Sequence, residues 1–344
     1  MFLLCLSYCP ILHFWLLESG KTEDHFIRKP IAMNDTNIFI VACKEDVPSK
    51  ENPVTAAVTG LYRMVALDLD GTLLGSDHQM ADEQAKYLRD LHSRGFFVCI
   101  ATGRSLISVY EHVKKMNIPV PIPVVCSNGA RGLLCDSNES IKELFFDPVP
   151  EDVVRRSIQL GNELGYATQY YYEDDIYTNQ RTDRHWELTT LYSKLTGSVI
   201  NHVEDAFESL LSEGKMPSKL LMLFDEKHIE EAKSAFGKEF GSDATIMCGA
   251  FDWFVEVLDP SVTKGHGLKK LCAKLGIPLE QCVAMGDGLN DLEFVQMAGK
   301  GIAMKNGKDA VKKAADEVME WTNDQHGVMK TLQNMERKGL LCFS

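Results

Sequence analysis

An apolar run, Met64-Val65-Ala66-Leu67, ends in Asp68-Leu69-Asp70-Gly71-Thr72-Leu73. The run reads as a buried strand, and strand geometry two residues apart aims both carboxylates the same way. Gly71 frees the backbone to turn, and Thr72 adds a hydroxyl. A chain can fold around two such carboxylates only by supplying a cation or letting them share a proton. The cation suggested is Mg²⁺, which takes oxygen ligands and commonly combines one or two protein carboxylates with phosphate oxygens and water. One carboxylate is then placed to attack phosphorus and its neighbour to handle the proton. Standing alone, the same hexapeptide reads equally well as a helix-capping turn.

Three later segments tip that balance. In Phe97-Val98-Cys99-Ile100-Ala101-Thr102-Gly103-Arg104, an apolar strand runs into a threonine and an arginine ahead of a helical pattern, a position suited to holding an anion. Taken alone, Thr102 reads as a plain helix cap rather than a phosphate ligand. At Thr263-Lys264-Gly265 a lysine opens a helix, although lysines favour the other end of a helix unless an anion draws them. By itself Lys264 reads as a solvated surface residue. In Cys282-Val283-Ala284-Met285-Gly286-Asp287-Gly288-Leu289-Asn290-Asp291, a short apolar strand ends in two more carboxylates. Four acids at two strand ends with one lysine point to a metal–phosphate site.

These residues resemble the haloacid dehalogenase-like hydrolase superfamily, whose four motifs match Asp68–Thr72, Thr102, Lys264 and Gly286–Asp291 in the right order. The resemblance covers roughly residues 62–335 and is strongest to the Cof-type sugar-phosphatase branch, to which Ala101-Thr102-Gly103-Arg104 and Ser127-Asn128-Gly129 also correspond. It implies a phosphatase acting on a small phosphorylated metabolite. In it Asp68 is the nucleophile, and Asp70 protonates the leaving oxygen and then activates water. Mg²⁺ is held by Asp68, the backbone carbonyl of Asp70, and Asp287, with Asp291 as a direct or more distant ligand. Thr102 and Lys264 grip phosphoryl oxygens, helped by Gly103, Arg104 and Asn290, while Ser127, Asn128 and Gly129 lie near the phosphate.

The alternation of strand and helix from residue 62 to about 145, resumed after Lys264, predicts an α/β fold with a parallel, Rossmann-like sheet. Ligands in such sheets bind at the carboxyl ends of the strands, where all four motifs fall. Between them the character changes. Pro148 and Pro150 lead into a mixed α+β stretch, read as helix 153–164, strand 167–178, helix 183–195, a polar connection, strand 220–224, helix 227–239 and strands 244–248 and 253–258. The expected division is therefore a core of 61–147 with 258–344, and an inserted domain of 148–257 that resembles a C2 cap of the IIB type. The tyrosine- and acid-rich stretch from Tyr170 to Tyr177 either meets a hydroxylated leaving group or packs on cap helices, and His185 and Trp186 read as packing or surface residues.

A net charge of −13 argues against nucleic acid and anionic membranes as partners, both of which call for basic surface. The ten cysteines show no paired spacing, which suits reduced thiols in a reducing, cytoplasmic setting and disfavours a zinc site. Residues 1–60 are expected to be a poorly ordered extension; the apolar start (Met1–Leu17) lacks both the basic opening and the cleavage pattern of a secretory signal, although a targeting segment would make the setting organellar. Asn34 and Asn138 sit in glycosylation-type triplets that chance also produces. A monomer or homodimer is expected.

Competing readings differ in what they require. A phosphomutase would use the same aspartates but needs further anion contacts in the cap, where only Arg181 and Arg184 stand close in sequence. A dehalogenase needs no magnesium cage, a transport ATPase needs membrane spans, and a non-catalytic binding module would not need Asp68, Asp70 and Asp287 together. The leaving group stays open among sugar phosphates, a phosphorylated vitamin such as pyridoxal phosphate, and flavin mononucleotide.

Overall fold

Strands alternating with helices make up the first and last stretches of the described residues. The computed structural model describes residues 60–343 except 139, 203–205 and 249–251, so the expectations for the extension, including its apolar start and Asn34, lie outside the described residues. The first stretch comprises β1 (Met64–Leu67), α1 (Asp82–Ser93), β2 (Phe97–Ala101), α2 (Tyr110–Met116), β3 (Ile122–Cys126), β4 (Arg131–Cys135) and β5 (Ile141–Phe146). Then follow α3 (Glu151–Leu164), β6 (Ala167–Tyr172), β7 (Asp175–Thr178), α4 (Asp183–Thr196), β8 (Ile200–His202), α5 (Ala206–Ser212), β9 (Lys219–Leu223), α6 (Ile229–Phe240), β10 (Thr245–Cys248) and β11 (Phe254–Leu258). The last stretch is α7 (Lys264–Leu275), β12 (Cys282–Gly286), α8 (Leu292–Met297), β13 (Lys300–Ala303), α9 (Asp309–Ala314), β14 (Glu317–Val318) and α10 (Gly327–Arg337).

The larger sheet has the order β14-β13-β12-β1-β2-β3-β4-β5. It is parallel from β14 to β3, and a hairpin adds β4 and β5 in antiparallel pairing at that edge. The alternation of β1 divides its side chains between two layers. Val65 and Leu67 pack with Leu88 and Leu91 of α1, Val113 of α2 and Leu332 of α10. Met64 and Ala66 pack with Leu268 and Leu271 of α7 and Phe294 of α8. Each such leucine contributes about 1.5–3 kcal/mol through burial.

The smaller sheet runs β10-β11-β9-β6-β7-β8. Tyr170, Leu220, Met222, Val255 and Val257 face α3, α5 and α6. The opposite face, carrying Ala167, Tyr171, Leu221, Leu223 and Phe254, meets Leu188 and Tyr192 of α4. Lys219 and Glu256 share the strand parity of this second face.

Three local expectations are corrected. The polar connection holds β8 and α5, both too short to show a period of their own. The strand read as 167–178 is a hairpin that turns at Glu173, a residue with φ of +50°. The helical pattern expected after Arg104 begins as a single 3₁₀ turn, Leu106–Ser108.

Candidate active site

β1 lies between β12 and β2, with Leu67 level with Met285 on one side and Ile100 on the other. The chain leaves β1 toward β2 and β3 and returns on the other side as β12, so a crevice opens at this point of reversal. Asp68 and Thr102 follow β1 and β2 directly, and Asp287 follows β12. After β1 the chain makes a wide turn in which the N–H groups of Leu73 and Leu74 donate to the carbonyls of Asp68 and Leu69 at 3.2 and 2.9 Å. Gly71 has φ of +75°, and a Cβ there would lie 2.4 Å from Asp287 Oδ2. Only glycine lets this turn close over that carboxylate.

Asp68, Asp287 and Asp291 each offer an oxygen, and the three lie within 4.8 Å of one another. Lys264 opens α7, but it is buried rather than solvated: its Nζ donates to Asp68 Oδ1 at 2.5 Å and to Asp291 Oδ1 at 2.6 Å. Burial opposes its charge, yet Asp291 and Asp68 more than compensate and hold the ammonium protonated. Burial pushes the Asp68 carboxyl well up, Asp291 adds to the push, and Lys264 offsets only part of it. Burial and then Asp291 raise Asp287 to about 6. Burial is the larger cause, and the crowding of three carboxylates, two buried and one half-buried, around one ammonium adds to it.

The donors sort the three acids. Asp291 Oδ2 accepts the N–H groups of Asp287 and Gly288, both at 2.9 Å, while its Oδ1 takes Lys264. It is committed to shaping the loop. Asp287 Oδ1 accepts the Thr72 hydroxyl at 3.0 Å, and Asp287 stands close enough to Asp68 to share a proton. Asp68 and Asp287 are thus the acids with coordinating capacity to spare, in an all-oxygen set that suits Mg²⁺.

Asp70 does not share this cluster, contrary to the expectation of two side chains aimed together. β1 ends at Leu67, so Asp70 lies in the wide turn, where strand alternation no longer applies. Arg104 binds it with two bonds, Nε to Oδ2 at 2.7 Å and Nη2 to Oδ1 at 2.5 Å, and His78 Nδ1 is 3.1 Å from Oδ1. Burial alone would raise the Asp70 carboxyl; the guanidinium outweighs it and holds the group below its usual range. Arg104, expected to face an anion, is here occupied by Asp70.

Thr102 is buried and caps no helix; its Oγ1 accepts the N–H of Arg104 at 3.2 Å. The turn Ser127-Asn128-Gly129 is strained, with φ of +51° at Ser127 and +54° at Asn128, a backbone cost of order 1–3 kcal/mol per residue. It is held by Ser127 N–H to the Arg104 carbonyl and Asn128 N–H to the Thr102 carbonyl. A Cβ on Gly129 would stand 2.1 Å from the Thr263 carbonyl, so glycine alone lets α7 approach. Asn290 Nδ2 donates to Asn128 Oδ1 at 3.0 Å. The motif residues therefore converge, except that Asp70 and Arg104 form a separate pair.

Two residues at this convergence were missed in the sequence. Asn128 Nδ2 donates to Glu256 Oε2 at 2.7 Å, and Lys219 Nζ donates to Glu256 Oε1 at 2.5 Å and to the Gly103 carbonyl at 3.3 Å. Their signal was a lone charge in an apolar strand, Lys219-Leu-Leu-Met-Leu and Phe-Val-Glu256-Val-Leu, since a buried charge requires a partner. Among the other candidates, Tyr170 packs on Phe207 and His185 hydrogen-bonds the Gly165 carbonyl, both as packing residues, while Trp186 is exposed against His202. Cys99, Cys126, Cys272 and Cys282 are buried thiols in no disulfide. Among the described residues no helix is long and apolar enough to cross a membrane.

Comparison with known proteins fits this geometry. The family model described as haloacid dehalogenase-like hydrolase matches residues 65–332. The 5-amino-6-(5-phospho-D-ribitylamino)uracil phosphatase YitU of Bacillus subtilis is 30% identical over 272 residues, covering 78% of this chain and 96% of that protein. A chloroplastic endoribonuclease YBEY of Arabidopsis thaliana is 27% identical over 271 residues; the match covers 78% of this chain but 45% of that longer protein. The crystal structure of TM0651 from Thermotoga maritima superposes with a TM-score of 0.68 at 27% identity, over 79% of this chain and 97% of that one. On the length of the family match and the shared fold, the chain belongs to the haloacid dehalogenase-like hydrolases, as a Cof-type phosphatase.

Proposed function

We propose that this phosphatase hydrolyses a phosphate monoester of a small hydroxylated metabolite through an aspartyl-phosphate on Asp68, with Mg²⁺ as cofactor. The observation that carries the reading is the excess of negative charge where the buried Asp68 and Asp291 and the half-buried Asp287 meet the single ammonium of Lys264. Mg²⁺ bound by Asp68, Asp287 and the Asp70 carbonyl would neutralise that excess and the charge on the transferring group.

The remaining chemistry falls to the chain. Lys264 holds one oxygen of Asp68, fixing the carboxylate so that the other can attack phosphorus in line. Thr102, Lys264 and Asn290 hold phosphoryl oxygens. The leaving oxygen takes its proton from Asp70, and Asp70, once ionised, removes a proton from the water that opens the aspartyl-phosphate. The Arg104 pair favours the ionised form, which serves the second step. An arriving phosphoryl dianion competes for the same guanidinium and frees Asp70 to be protonated for the first.

In this reading residues 148–257, built on the smaller sheet, form the cap over a core of 61–147 and 258–344, excluding water and contacting the leaving group. A hydroxylated leaving group accords with the ribityl phosphate in the name of the Bacillus subtilis relative. The mutase alternative needs unspent cap cations; Lys219 is spent on Glu256, and of the close-set Arg181 and Arg184 the latter is spent on Asp225 and Glu187.

The test is phosphate release over a panel of phosphorylated metabolites and an aryl phosphate, with Mg²⁺ and with a chelator. Turnover should require Mg²⁺ and fall by at least about 10³-fold in Asp68→Asn. Near-normal activity of Asp68→Asn would remove the nucleophile assignment.

A further inference from the structure

We infer that the buried pair Lys219–Glu256, on the cap sheet and outside the four motifs, is a positioning device that sets two phosphoryl-holding side chains of the core at once. The inference rests on the mechanism proposed above and adds to it residues that touch neither metal nor phosphorus.

Two arms leave the pair. Through the first, Lys219 Nζ holds the Gly103 carbonyl at 3.3 Å. A peptide's C=O and N–H point in opposite directions, so fixing this carbonyl fixes the N–H of Arg104 on its far side. That N–H lies 3.2 Å from Thr102 Oγ1 and donates to it. With its oxygen accepting there, the Thr102 hydroxyl keeps its proton for a phosphoryl oxygen. Through the second arm, Glu256 Oε2 accepts from Asn128 Nδ2 at 2.7 Å. A carboxylate only accepts, so the Asn128 amide is oriented without ambiguity, with Oδ1 turned toward Asn290 Nδ2 at 3.0 Å. One Asn290 N–H is thereby spent, and the other N–H is aimed by the plane of its amide.

The pair is buried and engaged at both ends. Lys219 and Glu256 are 3% and 9% exposed as side chains, and both Glu256 oxygens are occupied. Lys219 gives to two oxygens and lies 4.7 Å from the centre of the Tyr171 ring. Because both arms start on the cap and end in the core, the phosphate cradle is complete only with the cap seated.

The test is the neutral double variant Lys219→Met/Glu256→Gln, which leaves no buried charge uncompensated. The expected result with an aryl phosphate is a kcat about 10- to 100-fold lower with KM changed less than about threefold, the range for groups that orient others. Thermal midpoint and Mg²⁺-induced stabilisation should stay near those of the parent. An unchanged kcat in a folded variant would overturn the inference. So would a loss confined to KM for the metabolite substrate, which would make the pair a reader of the leaving group. If the double variant does not fold, Asn128→Gly, which suits the left-handed backbone there, cuts the second arm alone and should show the same kcat loss. Asp68→Asn run alongside keeps the readings separate, since its survival would sink the nucleophile while leaving the effect of the pair measurable.

Discussion

Lys264 and Lys219 are both buried and both close about 2.5 Å contacts with carboxylates, yet they stand in opposite electrostatic situations. Lys219 meets one carboxylate, and the pair is neutral. Lys264 meets two, with a third beside them, and the cluster stays negative. A buried neutral pair with its hydrogen bonds satisfied is at rest and suits an orienting role. A cluster short of positive charge is poised to take up a cation, and burial, with Asp291 adding to it, pushes Asp68 and Asp287 toward protonation. Two similar contacts thus separate a binding centre from a scaffold by their sums of charge, not by their distances.

The sharpest way to break that contrast is to remove each ammonium. On the proposed mechanism Lys264→Met should lower kcat by at least about 10³-fold, because it would free the nucleophile and remove a phosphoryl contact. It should also destabilise the metal-free protein by about 3–5 kcal/mol, the cost of leaving buried charge uncompensated. Saturating Mg²⁺ should restore part of that stability, as urea melts with and without the ion would show. For Lys219→Met, added Mg²⁺ should stabilise only as much as it does the parent and leave the deficit unchanged. Recovery of both variants alike would mean that the two sites do not differ in kind.

Next in size is the metal itself. A ligand at 100 times its Kd adds about 2.7 kcal/mol. The parent should show a rise in thermal midpoint on this scale with Mg²⁺, Asp287→Asn should lose it, and Lys219→Met/Glu256→Gln should keep it. Loss of the shift in the double variant would merge the two regions into one.

A smaller effect follows from acidity. The folded protein raises Asp287 to about 6, so it binds that proton more tightly than the unfolded chain does. The resulting stability is present in full below the unfolded carboxylate value of about 4 and is lost as pH rises through about 6. Metal-free protein should therefore lose stability over that window, and Mg²⁺, which takes the proton's place, should flatten the slope. A metal-free stability that climbs with pH from 4 to 6 would contradict the excess of negative charge.

The centre was legible in the sequence because its chemistry is concentrated at strand ends. Asp68, Thr102 and Asp287 each follow an apolar run by one position, and neighbouring parallel strands leave such residues no other place to go. The partner of Asp70 was not legible. A five-residue turn after Leu67 redirects that side chain, and only the fold reveals that Arg104 meets it. The pair Lys219–Glu256 joins β9 to β11, strands whose pairing is set by the hydrophobic faces of the whole insert. What could be read locally was the oddity of each charge; what could not was that one answers the other.

Arg131 supplies the finest test of whether a bridge between the sheets must have arms to matter. It is buried on β4, binds Glu143 at 3.1 Å, and reaches the turn between β6 and β7 through the Glu173 carbonyl at 2.8 Å and Asp174 at 3.3 Å. It joins the larger sheet to the smaller as Lys219 does, but these bonds end on the turn and on its neighbouring strand. Arg131→Gln should therefore cost stability, roughly 1–3 kcal/mol for a buried charged donor lost, while kcat per folded molecule stays within about twofold. If kcat instead falls as far as in Lys219→Met/Glu256→Gln, docking of the cap in general governs catalysis, and the two arms from Lys219 and Glu256 have no special part in it.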